Sequence, residues 1–275
     1  NDTIAFGNKL DSLDGVDGGD NIDVLTYTDT ISNGTSELDN VVNVERIVLG
    51  DATTDVAIQN NLSNGTVVTV DGSGLTLGQT LNLNASQDNT AQLWIQAGQD
   101  DDTIVASQLD DTVYGGDGQD QITGGLGNDA LMGQGGADVF LVDSVDATQN
   151  TSDTFDGGAG IDTVALTSEG TFYLNQSVLE SIEVIDFGSG DQTVVMTTGA
   201  NQLDGADLAT IDGGADNDAL SLVGATSAEG VSVDFSNKTI IRVESIIGTA
   251  YADSIVGTSA GDSIYGMAGD DTLVG

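Results

Sequence analysis

The residues of this chain best suited to chemistry are aspartates that return every nine positions. From Ala97 the sequence divides into AGQDDDTIV, ASQLDDTVY, GGDGQDQIT, GGLGNDALM and GQGGADVFL. Asp102, Asp111, Asp120, Asp129 and Asp138 hold the sixth place; Ile104, Val113, Ile122, Leu131 and Phe140 hold the eighth. A second run from Gly248 reads GTAYADSIV, GTSAGDSIY and GMAGDDTLV, with Asp253, Asp262 and Asp271 at its sixth places. Glycine-rich turns expose backbone carbonyls, and each aspartate adds a hard anionic oxygen. Carbonyl and carboxylate oxygens together form the donor set of calcium, which takes roughly six to eight of them.

The rest of the composition removes other chemistries. The 275 residues contain no His, Cys or Pro, so zinc sites of the usual kind, a Ser-His-Asp triad, a thiol nucleophile and His- or Cys-held haem or iron–sulfur centres are excluded. Asp+Glu is 45 against Lys+Arg 4, a formal charge of −41. Four basic residues cannot neutralise a run of phosphates or bind an anionic bilayer, so neither nucleic acid nor a membrane surface is an expected partner. The apolar runs are too short for a transmembrane helix. Asp outnumbers Glu 38 to 7, which favours turns over helices. The run nearest to helical spacing is Leu174–Ile185, and it is not convincing.

These aspartates need elements that hold them in register. Each nine-residue unit reads as a turn followed by a short strand whose eighth residue faces inward. Two units make one coil, so units two apart stack at the strand spacing of about 4.8 Å. Asp102, Asp120 and Asp138 then fall on one edge, Asp111 and Asp129 on the other. At that spacing two bare charges cost roughly 3.5 kcal/mol for an effective dielectric of 20. A cation between turns removes the penalty.

A longer repeat is superposed. Asp14–Leu25 (DGVDGGDNIDVL) matches Asp153–Val164 (DTFDGGAGIDTV), and Thr210–Leu220 (TIDGGADNDAL) is a weaker third copy. Each is followed by an apolar-Glu-x-Ile motif, containing Glu45, Glu183 or Glu244. A salt bridge to Arg46 or Arg242, or a polar cap on a wider rung, is the expected role of these glutamates; a calcium ligand and a catalytic acid are the alternatives. Thr66–Asp71 and Leu75–Asn84 alternate as strands do. Tyr114, Tyr265 and Trp94 are expected in edge or outer packing, with sugar stacking as the other reading for the tyrosines. The sequons at Asn33, Asn64 and Asn175 are not expected to carry glycans.

The units GGDGQDQIT (Gly115–Thr123), GGLGNDALM (Gly124–Met132) and GGAGIDTVA (Gly157–Ala165) resemble the RTX (repeats-in-toxin) calcium-binding β-roll proteins. The close matches cover about a third of the chain. The resemblance implies an all-β, right-handed parallel β-roll or β-solenoid, with Ca2+ ions between stacked turns and wider irregular rungs between the repeat blocks. It implies that Asp120, Asp129 and Asp162 are ligands, with carbonyls around Gly115, Gly118, Gly124 and Gly127. Asp102, Asp111 and Asp138 depart from the glycine pattern and follow less directly, as do Asp253, Asp262 and Asp271. Asp117, Gly136, Asp153, Gly157, Asp23 and Asp218 complete the candidate set.

The expected organisation is a first module over 1–96, a repeat block over 97–165, wider units over 166–247 and a second repeat block over 248–275. The long stretches Leu25–Ile95 and Leu166–Ile247 should continue the solenoid; an inserted β-sandwich is the rival. The chain opens and closes within repeat units, so a segment of a longer protein is expected. The functional reading is a non-enzymatic, calcium-binding structural segment of a secreted bacterial surface protein of the S-layer or adhesin type. RTX resemblance implies type I export and folding outside the cell. Self-association into a lattice or filament and surface glycans are the further partners considered. The alternative is the RTX tail of a secreted protease, lipase or epimerase. An enzyme within the segment, using carboxylates on a glycan, is the least supported class.

Overall fold

In a computed structural model the protein is built from parallel β-strands, and no helix occurs among the described residues. These are residues 1–6, 15–27, 38, 40–50, 54–59, 67–143, 152–197, 203, 207–224 and 228–275. The sequons at Asn33 and Asn64 lie outside them. The chain forms two compact units, Asn1–Phe140 with Gly158–Gly160, and Leu141–Gly157 with Ile161–Gly275.

In the first unit one stack runs through Thr3–Phe6, Val24–Tyr27, Arg46–Leu49, Val67–Asp71, Gln92–Gln96, Thr112–Asp117 and Ala130–Gly135, each parallel to the next. A second stack runs through Thr54–Ala57, Leu81–Asn84, Thr103–Val105, Gln121–Thr123 and the start of Val139–Val142. Strand residues alternate between core and solvent, so every second side chain is buried. Leu25, Ile47, Val70, Ile95 and Val113 line one wall of this core and Leu83, Ile104, Ile122 and Phe140 the other, all fully enclosed. Eighth-place residues therefore point inward, as their spacing requires.

The second unit repeats the principle with wider coils. Its stacks are Thr163–Leu166, Val184–Asp186, Thr210–Asp212 and Thr239–Ile241; Gly170–Tyr173, Gln192–Thr197, Ala219–Val223, Ser245–Ile247 and Ile264–Tyr265; and Ser232–Asp234, Ser254–Val256 and Thr272–Val274. All pairings within them are parallel. The long stretches of sequence are thus solenoid rungs inside their own units. Among the described residues no pairing is antiparallel, as an inserted β-sandwich would require.

One local expectation is corrected, and two further stretches are placed. Leu75–Asn84 is a strand only over Leu81–Asn84, because a turn at Gly78 (φ 93°), with Thr76 N–H donating to Gln79, precedes it. Leu174–Ile185 contains a turn and the strand Val178–Glu180. Asp55 lies in Thr54–Ala57 and accepts a hydrogen bond from the Asn82 amide at 2.9 Å.

Candidate metal centre

The two tandem ladders form as the nine-residue phasing requires. Thr112 is paired with Ala130, and Thr103 with Gln121, one coil of 18 residues apart. The sixth-place carboxylates tie successive coils together. Asp102 N–H donates to Asp120 Oδ1 at 2.8 Å, and Asp120 N–H to Asp138 Oδ1 at 2.9 Å. On the other edge Asp111 N–H donates to Asp129 Oδ1 at 2.8 Å. These acids are almost wholly enclosed: Asp102, Asp111, Asp120, Asp129 and Asp138 are each at most 2% exposed.

Burying carboxylates in a column has an electrostatic cost. Asp120 is pushed up to about 8, by its burial first and then by the neighbouring charges of Asp102, Asp138 and Asp101, against the lowering effect of the Asp102 N–H. Asp102 and Asp111 rise only to about 6, again through burial, because backbone N–H groups of Leu81 and Gly98, or of Leu93 and Ser107, donate to them. Burial likewise raises Asp218, helped by the charges of Glu244, Asp191 and Asp216.

In some of these turns a carboxylate oxygen is buried without a protein donor among the described residues. Oδ2 of Asp120 is buried with no hydrogen-bond partner among the described residues, and so are Oδ2 of Asp23 and Asp218. Such an oxygen ordinarily costs about 1–3 kcal/mol, more when charged, so it marks a place for a cation. The turn makes room for it. A Cβ on Gly115 would stand 2.3 Å from Asp120 Oδ2 and 2.9 Å from the Gly133 carbonyl oxygen, so only glycine leaves this space open. The two oxygens therefore lie within the ~5 Å that two ligands of one calcium ion can span. Gly124 cradles Asp129 Oδ2 in the same way, at 2.3 Å, and Gly157 cradles Asp162 Oδ2, at 2.5 Å. Gly118 takes φ 127°, and a Cβ there would sit 2.5 Å from the Asp100 carbonyl carbon. Among the described residues no three acidic side chains converge on one point. A cation here must draw on backbone carbonyls as well as carboxylates, which suits calcium and its variable, many-oxygen shell.

A family model for the RTX calcium-binding nonapeptide repeat matches residues 106–140, 149–164 and 247–275, in four copies. The chain carries RTX calcium-binding repeats. Neither the curated proteins nor the solved structures contain a match. The RTX stretches include Asp111, Asp120, Asp129, Asp138, Asp153, Asp162, Asp253, Asp262 and Asp271, and leave out Asp23, Asp102 and Asp218.

The remaining candidates fall into place unevenly. Asp117 is exposed, with Oδ1 3.3 Å from where a Gly135 Cβ would be. Gly136 (φ 141°) lets its turn pass against the Gly118 carbonyl. Asp153 is buried and its carbonyl accepts from Val178 N–H at 2.8 Å. Trp94 and Tyr114 pack ring against ring, centroids 5.3 Å apart, while Tyr265 is exposed.

Of the two expected roles, the recurrent glutamates take the polar cap on a wider rung and not the salt bridge. Glu45 Oε2 accepts from Asp23 N–H at 2.9 Å, Glu183 Oε2 from Asp162 N–H at 2.8 Å, and Glu244 Oε2 from Asp218 N–H at 2.6 Å. Each glutamate does for a wide coil, of 22, 21 or 26 residues, what the next aspartate does for a coil of 18. Arg46 and Arg242 pair instead with Asp71 and Asp212. Two residues before each glutamate stands a left-handed residue: Asn43 (φ 52°), Ser181 (φ 51°) and Arg242 (φ 56°). Their carbonyls pack where a Cβ of Gly18, Gly157 or Gly213 would be, about as the Gly133 carbonyl packs on Gly115. The changed backbone sets the chain back, and the extra methylene of Glu restores the reach.

Asp88 was not legible as a site. It is fully buried, holds Thr90 through Oδ1 at 2.8 Å, and its Oδ2 has no hydrogen-bond partner among the described residues. It lies outside the nine-residue phase, and its signal in the sequence is only the Asp-x-Thr turn.

Proposed function

We propose that the chain is a calcium-stiffened, non-catalytic structural segment of a large secreted bacterial surface protein of the S-layer or adhesin type. The supporting observation is the buried Asp120 carboxylate. It faces like charges above and below, and its Oδ2 is held open beside a carbonyl by a glycine turn. Such a column is unfavourable until a divalent cation enters, so folding is coupled to external calcium. The fold is then completed outside the cell, where calcium is abundant. Wide rungs that add parallel coils on Glu45, Glu183 and Glu244 within their own units favour a spacer over a plain enzyme tail, since among the described residues they bring no three acids together on one point. Lattice or filament packing and glycan contacts belong to the same reading as its partners. Circular dichroism with calcium and then EGTA tests it: β-structure that appears with calcium and disappears on chelation is expected. A β-rich, compact protein in EGTA at low salt overturns it. A catalytic domain adjoining this segment in the parent protein would instead support the reading as the RTX tail of a secreted enzyme.

A further inference from the structure

The sixth-place aspartates fall into two classes that the sequence period does not distinguish. In four turns the second-place N–H, four residues upstream, donates to the aspartate's own Oδ2. These bonds are Gly98 to Asp102 (2.8 Å), Ser107 to Asp111 (2.7 Å), Thr249 to Asp253 (2.6 Å) and Thr258 to Asp262 (2.8 Å). The Ser107, Thr249 and Thr258 hydroxyls add bonds of 3.0, 2.8 and 3.1 Å to the same carboxylates. None of these four residues has positive φ.

In the other turns the second place is left-handed: Gly19 (φ 89°), Gly116 (119°), Gly125 (94°), Gly158 (88°) and Gly214 (81°), and also Gln134 (76°) and Met267 (70°). The turn peptide is thereby rotated. In three of these turns Oδ2 of Asp23, Asp120 and Asp218 is left buried without a hydrogen-bond partner among the described residues.

Resting on the calcium reading above, we infer that the second-place backbone decides which RTX-phased aspartates take calcium. Left-handed turns are open to the ion. Turns whose second-place N–H closes on Oδ2 take no ion, because a donor proton occupies the position a cation would need. Metal then does not follow the repeat match. Asp23 and Asp218 lie outside the matched RTX stretches and are cation ligands, whereas Asp253 and Asp262 lie inside them and are not. At both outlying sites the wide-rung device completes the cradle, with the carbonyls of Asn43 and Arg242 lying against Gly18 and Gly213. Thr249 and Thr258 thus act as built-in substitutes for calcium.

The test counts calcium ions on the full chain by native mass spectrometry at saturating calcium. D23N and D218N should each bind fewer ions than wild type, and D253N and D262N the wild-type number. Loss of an ion in D253N or D262N, or a full complement in both D23N and D218N, overturns the inference while the calcium reading stands. A wild-type chain that binds no calcium overturns both. Should a variant not fold, anomalous scattering from wild-type crystals grown with terbium decides directly. Peaks beside Asp23 and Asp218 with none beside Asp253 and Asp262 support the assignment, and the reverse pattern refutes it.

Discussion

The turns Gly115–Asp129 and Gly248–Asp262 share one nine-residue period and one kind of strand, yet they treat their aspartates differently. In the first, a pair of glycines opens each turn and the Asp120 Oδ2 finds no protein donor. In the second, threonine follows the first glycine, and Asp253 collects hydrogen bonds from Val231 N–H and from both Thr249 N–H and its hydroxyl. The first turn exchanges stability for dependence on an ion; the second settles the charge from its own backbone. Periodicity therefore fixes where a carboxylate stands, and the local backbone fixes what neutralises it.

Calcium removal should separate the two regions most widely. In EGTA the tandem amides around Asp120 should lose hydrogen-exchange protection by orders of magnitude, while Thr249 and Thr258 amides, bonded to Asp253 and Asp262, lose less. Equal loss in both would erase the distinction. Magnesium should not restore protection at matched concentration, since it sheds its waters reluctantly and demands octahedral order.

Next in size is a backbone comparison. Gly118→Ala places a Cβ 2.5 Å from the Asp100 carbonyl carbon at φ 127°, so it should cost upwards of about 3 kcal/mol or prevent folding. Gly261→Ala in the second run meets nothing within 4 Å and should be neutral or stabilising by up to ~1 kcal/mol. Thermal or urea denaturation in calcium reads both. A near-neutral Gly118→Ala would show that the tandem turns are looser than their packing.

Asp120→Ala should weaken calcium binding and shift the calcium midpoint for folding upward, whereas Asp207→Ala, at an exposed position, should not move it. Equal shifts would disprove the ladder register. Glu183→Ala removes the acceptor for Asp162 N–H and should cost about 1–3 kcal/mol, with Glu183→Gln recovering part. A Glu183→Ala protein as stable as wild type would mean that the wide rung is held by its core alone.

Acidity tests the same contrast without mutation. Asp102, Asp111 and Asp120 have folded pKa values raised above the ordinary 3.8, so the calcium-free fold retains protons that the unfolded chain releases. Its stability should be greatest in acid and fall as pH rises, first between about 4 and 6 for Asp102 and Asp111, then on to about 8 for Asp120. Calcium should reverse the trend at Asp120 by displacing its proton, and leave it at Asp102 and Asp111, whose Oδ2 oxygens are closed by Gly98 and Ser107 N–H. Calcium-free stability that rises from pH 5 to pH 8 contradicts the buried ladder.

Much of this was legible beforehand because a period of nine leaves few options. The inward Ile122 and Leu131, the edge assignment of Asp120 and Asp129, and the parallel stacking all follow from counting. The wide rungs were legible as rungs from their GG-x-x-x-D openings. The polar cap made by Glu45, Glu183 and Glu244 was legible only as one of two roles, since its geometry depends on the left-handed Asn43, Ser181 and Arg242, and neither Ser nor Arg announces that conformation. Asp88 escaped for a similar reason: its burial comes from coil stacking and not from its neighbours in sequence.

The smallest effect concerns the arginine that stands next to Glu45 in the sequence. Arg46 bonds Asp71 at 2.5 Å, and its side chain remains 48% exposed. Asp71 sits below its ordinary value because Ser73 and Arg46 donate to it, against the upward effect of partial burial. Solvent screens such a pair, so Arg46→Gln should change stability by no more than ~1 kcal/mol and less at high salt. The calcium midpoint should not move, because Glu45 holds Asp23 N–H without help from the arginine. A large shift would mean that Arg46 governs Glu45 after all, and the wide rung would then depend on an ion pair at its rim instead of on the glutamate's reach into the ladder.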